Sequence, residues 1–185
     1  MNNNMLSEVG SKIKSALVST VKGADELYDT LFETIRGNVV SLLQGSDDVT
    51  AAALTTVKDV VMGAIQAVTE VGVAASQSVH DIVRATIKGV SDAGGDAGST
   101  IKNTVRGAIT AVSEVEGDVV EASLKAVTGA IAGVREIGGD VGKATTDAVV
   151  GAIEAVGEVS ETAVEEVKET LSESVDGAKE VIKKL

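Results

Sequence analysis

The chain has no cysteine, no proline and no tryptophan among its 185 residues, and its only aromatic side chains are Tyr28 and Phe32. Without cysteine there are no disulfides and no thiol chemistry, the softest zinc and copper ligands are missing, and a reducing compartment is the natural setting. Without proline, helices run free of a missing N–H. With so few aromatics, the large buried areas that usually fix a single packing are gone, so a plastic or surface-spread core built mainly from Val, Ala and Ile is expected. Positive charge is also short: 16 Lys and Arg stand against 28 Asp and Glu, a net charge of −12. That balance opposes nucleic acid, whose phosphates are neutralised by Lys and Arg, and it opposes strongly anionic membranes. No uninterrupted apolar run of about 18 residues occurs, so no transmembrane span is expected. Met1–Gly10 lacks a basic region followed by an apolar one, so no secretory signal is read there. The cytoplasm is the expected location, with a place peripheral to a membrane or granule compatible with it.

What the chain does contain is one phrase repeated. Gly63-Ala64-Ile65, Ala85-Thr86-Ile87, Gly107-Ala108-Ile109, Gly129-Ala130-Ile131 and Gly151-Ala152-Ile153 recur every 22 residues. Read outward, units begin at 19, 41, 63, 85, 107, 129, 151 and 173. Residues 1–18 form a lead-in that starts the first amphipathic helix, and 19–185 form the repeat array. An apolar fraction of 44% and a mean hydropathy of +0.23 argue against permanent disorder. The expected fold is all-α, made of long amphipathic helices built from these units.

Twenty-two residues is two elevens, and eleven residues close three helical turns, so equivalent positions stay on one side of a nearly straight helix. Each unit corresponds to roughly 33 Å of helix. The third, ninth and twenty-first positions of the unit form an apolar spine, and the first and fifth are small. The eighth is always acidic, as in Glu26, Asp48, Glu70, Asp92, Glu114, Glu136, Glu158 and Glu180, and reads as a solvated face. The eighteenth holds Arg36, Lys58, His80, Lys102 and Lys168 along one edge. From the spine and its neighbours comes a candidate interaction stripe: Ile65, Val68, Val71, Ile87, Val90, Ile109, Val112, Val115, Ile131, Val134, Ile137, Ile153, Val156 and Val159.

Asn2, Asn3 and Asn4 read as a disordered start, and Gln44-Gly45-Ser46-Asp47-Asp48 as a first break. Gly94-Gly95-Asp96 and Gly138-Gly139-Asp140 are candidate turns or hinges: a Gly pair ends one helix and Asp caps the next. If both turn, the stretch of about 40 residues between them folds back as part of an antiparallel bundle. If neither turns, they are soft points in a near-continuous helix, as Glu116-Gly117-Asp118 would be in milder form.

Residues able to carry chemistry are sparse and scattered. The glycines match neither a dinucleotide fingerprint nor a phosphate loop. His80 is the only histidine and takes a position filled elsewhere by Lys or Arg, so it reads as a helix-edge residue. Asp47-Asp48 and Glu165-Glu166 are adjacent carboxylates with no accompanying base or nucleophile. No catalytic, metal or cofactor residue is assigned, and the chain is expected not to be an enzyme. The stripe has to be buried against protein or lipid.

Ala126-Val127-Thr128-Gly129-Ala130-Ile131-Ala132-Gly133-Val134 mixes Val, Ala, Thr and Gly in an eleven-residue rhythm. By periodicity and composition this resembles the amphipathic repeats of synucleins, perilipins and exchangeable apolipoproteins, and more loosely late-embryogenesis-abundant proteins. The resemblance implies a chain that becomes helical on a membrane, a droplet or another apolar interface. The resulting expectation is a structural or surface-coating protein that docks its stripe on an apolar surface, through copies of itself or at a lipid or storage-granule interface. The alternative is a stress-protective chain that folds on drying or binding.

Overall fold

The computed structural model describes residues 8–20 and 27–185, and among these the fold is all-α. Its helices are α1 (Glu8–Thr20), α2 (Leu27–Leu43), α3 (Val49–Glu70), α4 (Ala75–Asp92), α5 (Ala97–Glu114), α6 (Val119–Glu136), α7 (Val141–Val159), α8 (Val164–Ser174) and α9 (Ala178–Ile182). A short 3-10 turn, Glu161–Ala163, precedes α8. Asn2, Asn3, Asn4 and Glu26 lie outside the described residues.

Starts and stops follow from local chemistry. Asp48, Asp96, Asp118 and Asp140 each hold an extended backbone and accept a hydrogen bond from a free N–H of the helix they open. The donors are Ala51 at 3.0 Å, Ser99 at 3.3 Å, Val120 and Glu121 at 2.9 and 3.0 Å, and Lys143 at 2.9 Å. Such a cap contributes about 1 kcal/mol. Only α4, among these five consecutive helices, opens on a residue without a capping side chain, Ala74.

The ends of α3 to α6 share one closure. A residue in the left-handed region, Gly72, Gly94, Glu116 or Gly138, reverses the chain. The next N–H then reaches back to the carbonyl five residues earlier: Val73 to Val68, Gly95 to Val90, Gly117 to Val112 and Gly139 to Val134, each at 2.9 Å. This motif satisfies carbonyls that a helix end would leave bare.

The chain therefore breaks at Gly72 and Glu116 as well as at the two Gly-Gly-Asp sites. Neither the near-continuous helix nor the helix of about 40 residues allowed by the sequence forms among the described residues, whose longest helix is the 22-residue α3. The physical reason is that Val and Gly are poor helix formers, so length is rewarded only where a face is buried, and each turn brings new faces together.

Each helix packs most extensively on its neighbour but one: α4 on α2 and α6, α3 on α1 and α5, and α7 on α5. The order of contacts shows the direction. Thr50 Oγ1 accepts from the Asp96 N–H at 3.0 Å, the Leu54 carbonyl accepts from Asn103 Nδ2 at 3.3 Å, and Gly107 lies against the Lys58 backbone. These partners ascend together along α3 and α5, so the two run the same way. Consecutive helices also pack on one another, α3 on α4, α4 on α5, α5 on α6 and α6 on α7, and the core includes Val60, Val61, Ala64, Ile82, Val83 and Val105, none more than 1% exposed.

Candidate functional site

The interaction stripe is spent inside the chain. Ile65, Val68, Ile87, Val90, Ile109, Val112 and Val156 are buried to 1% exposure or less, and Val134 to 3%. Val115, Ile131, Ile137, Ile153 and Val159 are half-buried and pack against the same core, whereas Val71, at the end of α3, is 36% exposed. Position along the stack explains the difference among Ile65, Ile87, Ile109, Ile131 and Ile153, whereas Val71, Val115, Ile137 and Val159 all stand at the C-terminal ends of their helices. Ile87 is covered by α6, where a Cβ on Gly133 would lie 3.2 Å from the Ile87 Cβ. Ile131 and Ile153 belong to α6 and α7, over which only the short α8 and α9 follow.

Glycine sets how closely alternate helices approach. A Cβ at Gly107 would lie 3.2 Å from Lys58 Cα, and one at Gly151 would lie 3.1 Å from the Lys102 carbonyl oxygen. At Gly129 an added Cβ would overlap the His80 carbonyl oxygen and sit 3.0 Å from its Cα. In all three places the obstacle includes backbone, which cannot rotate away. The sequence marks these positions as a small-residue ridge suited to close approach, and the partner proves to be a helix of the same chain. The contact places residues of the first position against residues of the eighteenth, 49 positions earlier.

The same geometry pins the helices electrostatically. Lys14 meets Glu70 at 2.7 Å, Arg36 meets Asp92, Arg84 meets Glu136 at 2.5 Å, and Arg106 meets Glu158 at 2.5 Å. Lys102 and Arg106 also share Glu154, at 2.8 and 2.9 Å. The acidic eighth position, expected to be simply a solvated face, is therefore also one half of a ladder of ion pairs between alternate helices. Side chains at the rungs remain 22% to 58% exposed, so solvent screens the pairs and each contributes little. Their value lies in register. Sequence spacing alone hid them, because the partners stand 52 or 56 residues apart and become neighbours only once the chain has doubled back twice.

The rungs perturb the carboxylates as expected. The Lys88 ammonium, with Arg36 beside it, holds Asp92 below the usual carboxylate range. Lys102, then Arg106, does the same for Glu154. His80 Nδ1 lies 3.2 Å from Asp81 Oδ1, and this contact lowers the Asp81 carboxyl. Arg84 also lies over the Phe32 ring, 4.6 Å from its centre, tying α2 to α4. One rung is missing: Glu114 and Lys58 make no ion pair, and at the place from which Arg84 and Arg106 reach their acids, α3 carries Met62.

Gly94, Gly95, Asp96, Gly138, Gly139 and Asp140 all fall in helix-to-helix turns. The two turns flank an open groove of about 310 Å³, lined by Ile101, Ile137 and Lys143 among others. The Asp96 and Asp140 carboxylates on its wall are already bonded to helix N–H groups. Among the described residues no three His, Asp or Glu side chains converge as a metal-binding group. Helix α3 is the one described helix long and apolar enough to cross a membrane, with a mean hydropathy of 1.3, but 56% of that window is buried within the fold, as befits a core helix. No protein family's sequence profile matches the chain, and no curated protein does.

Proposed function

We propose that this chain is a non-enzymatic structural protein, built from 22-residue units that stack as consecutive antiparallel helices in two rows, and that its apolar stripe is a surface for packing helix on helix. One observation carries the reading: eight of the fourteen stripe residues are buried to 3% exposure or less against helices of the same chain. The junctions between alternate helices present a glycine or alanine ridge and a Val and Ile seam, with charged pins at each pairing from α1–α3 to α5–α7 except α3–α5, and the arrangement is open-ended in the manner of helical solenoids. Copies of the chain are the partners that such a surface suits, because they carry the complementary ridge and seam. A lipid or granule surface would have to compete with these internal contacts for the stripe.

The test is far-ultraviolet circular dichroism of the purified chain with and without zwitterionic vesicles, alongside mass by light scattering. The expected result is a strongly helical spectrum, indifferent to lipid, with mass reporting self-association as concentration rises. A disordered spectrum that turns helical only with vesicles would replace this reading with a surface coat.

A further inference from the structure

Of the four equivalent turns, the one between α5 and α6 is built differently. Gly72, Gly94 and Gly138 take the left-handed conformation at φ +86°, +87° and +71°, where glycine has no side chain to clash. In the α5–α6 turn that position is Glu116 at φ +56°, the only non-glycine residue with positive φ among the described residues. An L-residue with a long side chain is strained there. The residue after it, Gly117, packs as Gly95 and Gly139 do in their turns, an added Cβ lying 2.6 Å from Val112 Cγ1 against 2.9 Å from Val90 Cγ1 and 2.8 Å from Val134 Cγ1, so the difference rests on Glu116 itself. The turn thus favours opening more than its three counterparts do.

Opening it leaves the helical phase intact. Val105 and Val127, and Val112 and Val134, stand 22 residues apart, so a helix continued through 115–118 carries its apolar positions along one face. Residues 97–136 would then form one rod of about 60 Å. The same movement parts α4 and α5 from α6 and α7, separating Gly129 from His80, Gly133 from Ile87, Arg84 from Glu136 and Lys102 from Glu154. A second copy opened at the same place restores each of these pairings between chains.

We infer that the Glu116 turn is the hinge of a domain-swapped dimer, in which α1–α5 of one copy pack on α6–α9 of another through a continuous α5–α6 helix. This rests on the self-association reading above and names its route. Strained short hinges invite such exchange, and the four-residue turn holds the only strained residue of its kind among the described residues.

The experiment uses the full chain as wild type, Glu116→Gly, and the double variant Glu116→Ala with Gly117→Ala. Each is refolded at high concentration as a mixture of nitrogen-15-labelled and unlabelled protein. Mass is followed by light scattering on dilution, and the pool is cross-linked with a zero-length carbodiimide reagent. Glycine relieves the closed turn at two hinges per dimer, so Glu116→Gly should weaken dimerisation roughly thirtyfold, about 2 kcal/mol at 1.4 kcal/mol per tenfold. The double alanine variant favours continuous helix and should raise the dimer fraction. Cross-linked peptides joining Lys102 to Glu154, which lie on either side of the hinge, should include labelled–unlabelled hybrids in the dimer fraction and none in the monomer. Dimers whose Lys102–Glu154 links join only like-labelled chains would overturn the swap while leaving self-association standing. Equal dimerisation of wild type and Glu116→Gly would overturn the hinge, even if the alanine variant does not fold. A mass of 18.6 kDa for all three at every concentration would overturn both readings.

Discussion

Replacing Gly129 with Ala sets two effects of opposite sign against each other. In a helix interior the change removes backbone entropy from the unfolded chain and should stabilise by about 1 kcal/mol. In the stack the new Cβ overlaps the His80 carbonyl oxygen and lies 3.0 and 3.1 Å from its Cα and carbonyl carbon, so α4 and α6 have to move apart. Forcing apart a packed contact costs about 1–3 kcal/mol, the upper part of the range when the obstacle is backbone. The expected net result is a loss of about 1–2 kcal/mol. Gly37→Ala is the matched control, because Gly37 lies within α2 and a Cβ there meets nothing within 4 Å. It should show the propensity gain alone. Urea unfolding of wild type and both variants measures the two values, with an unchanged slope certifying that the unfolded state is the same. If Gly129→Ala is stabilised as much as Gly37→Ala, α4 and α6 do not approach through this glycine, and the packing described above is wrong.

Three further outcomes follow from the same geometry. Ala74→Asp should supply the capping carboxylate that Asp96, Asp118 and Asp140 provide for their helices, raising stability by about 1 kcal/mol in the same urea assay. Met62→Arg should add the missing rung, reaching Glu114 as Arg84 reaches Glu136; the gain should be about 0.2–1 kcal/mol and should fade in high salt, whereas a gain unaffected by salt would mean that no ion pair formed. Acid should weaken the stack: Asp92, Glu154 and Asp81 have folded-state pKa values below their unfolded ones, so their stabilisation is complete above the ordinary carboxylate range near about pH 4 and disappears as pH falls through the lowered values. Asp92→Asn should flatten that part of the stability profile, and an unchanged profile would show that the Arg36 and Lys88 contacts do not persist in solution.

Helix type was legible because it depends on short-range periodicity, while the expected spine coincides with the buried core only in part: Ile131, Ile153, Val115, Ile137 and Val159 are half-buried and Val71 is exposed. Ile65, Ile87 and Ile109 share a register position, and all three are buried. The Gly-Gly-Asp sites stood out as candidates because each contains both a possible left-handed residue and a cap, but their sequence left open whether they turn or continue the helix. Gly72 was harder to read, for Val71 and Val73 surround it with residues of the apolar pattern and Ala74 supplies no cap. Glu116 was harder still, since nothing in its side chain announces a left-handed conformation; the signal lies in Gly117 and Asp118 after it. The partner of the stripe could not be read at all. A Val and Ile face looks the same whether protein or lipid covers it, and the ion pairs that identify the partner, such as Arg36 with Asp92, join residues too far apart for helical spacing to connect.

Whether alternate helices of the same chain cover the stripe can be measured by cross-linking α3 to α5. A Cβ placed on Gly107 lies 3.6 Å from the Lys58 Cβ, within the range a disulfide spans. The chain has no cysteine of its own, so the double variant Lys58→Cys and Gly107→Cys introduces a single possible pair. Mild oxidation followed by mass spectrometry should find a disulfide joining 58 and 107 within one chain, formed without loss of helicity once the 3.2 Å approach of the new Cβ to the Cα of residue 58 eases by a few tenths of an ångström. In a continuous helix those residues would stand about 74 Å apart. Free thiols, or disulfides formed only between chains, would contradict the stack.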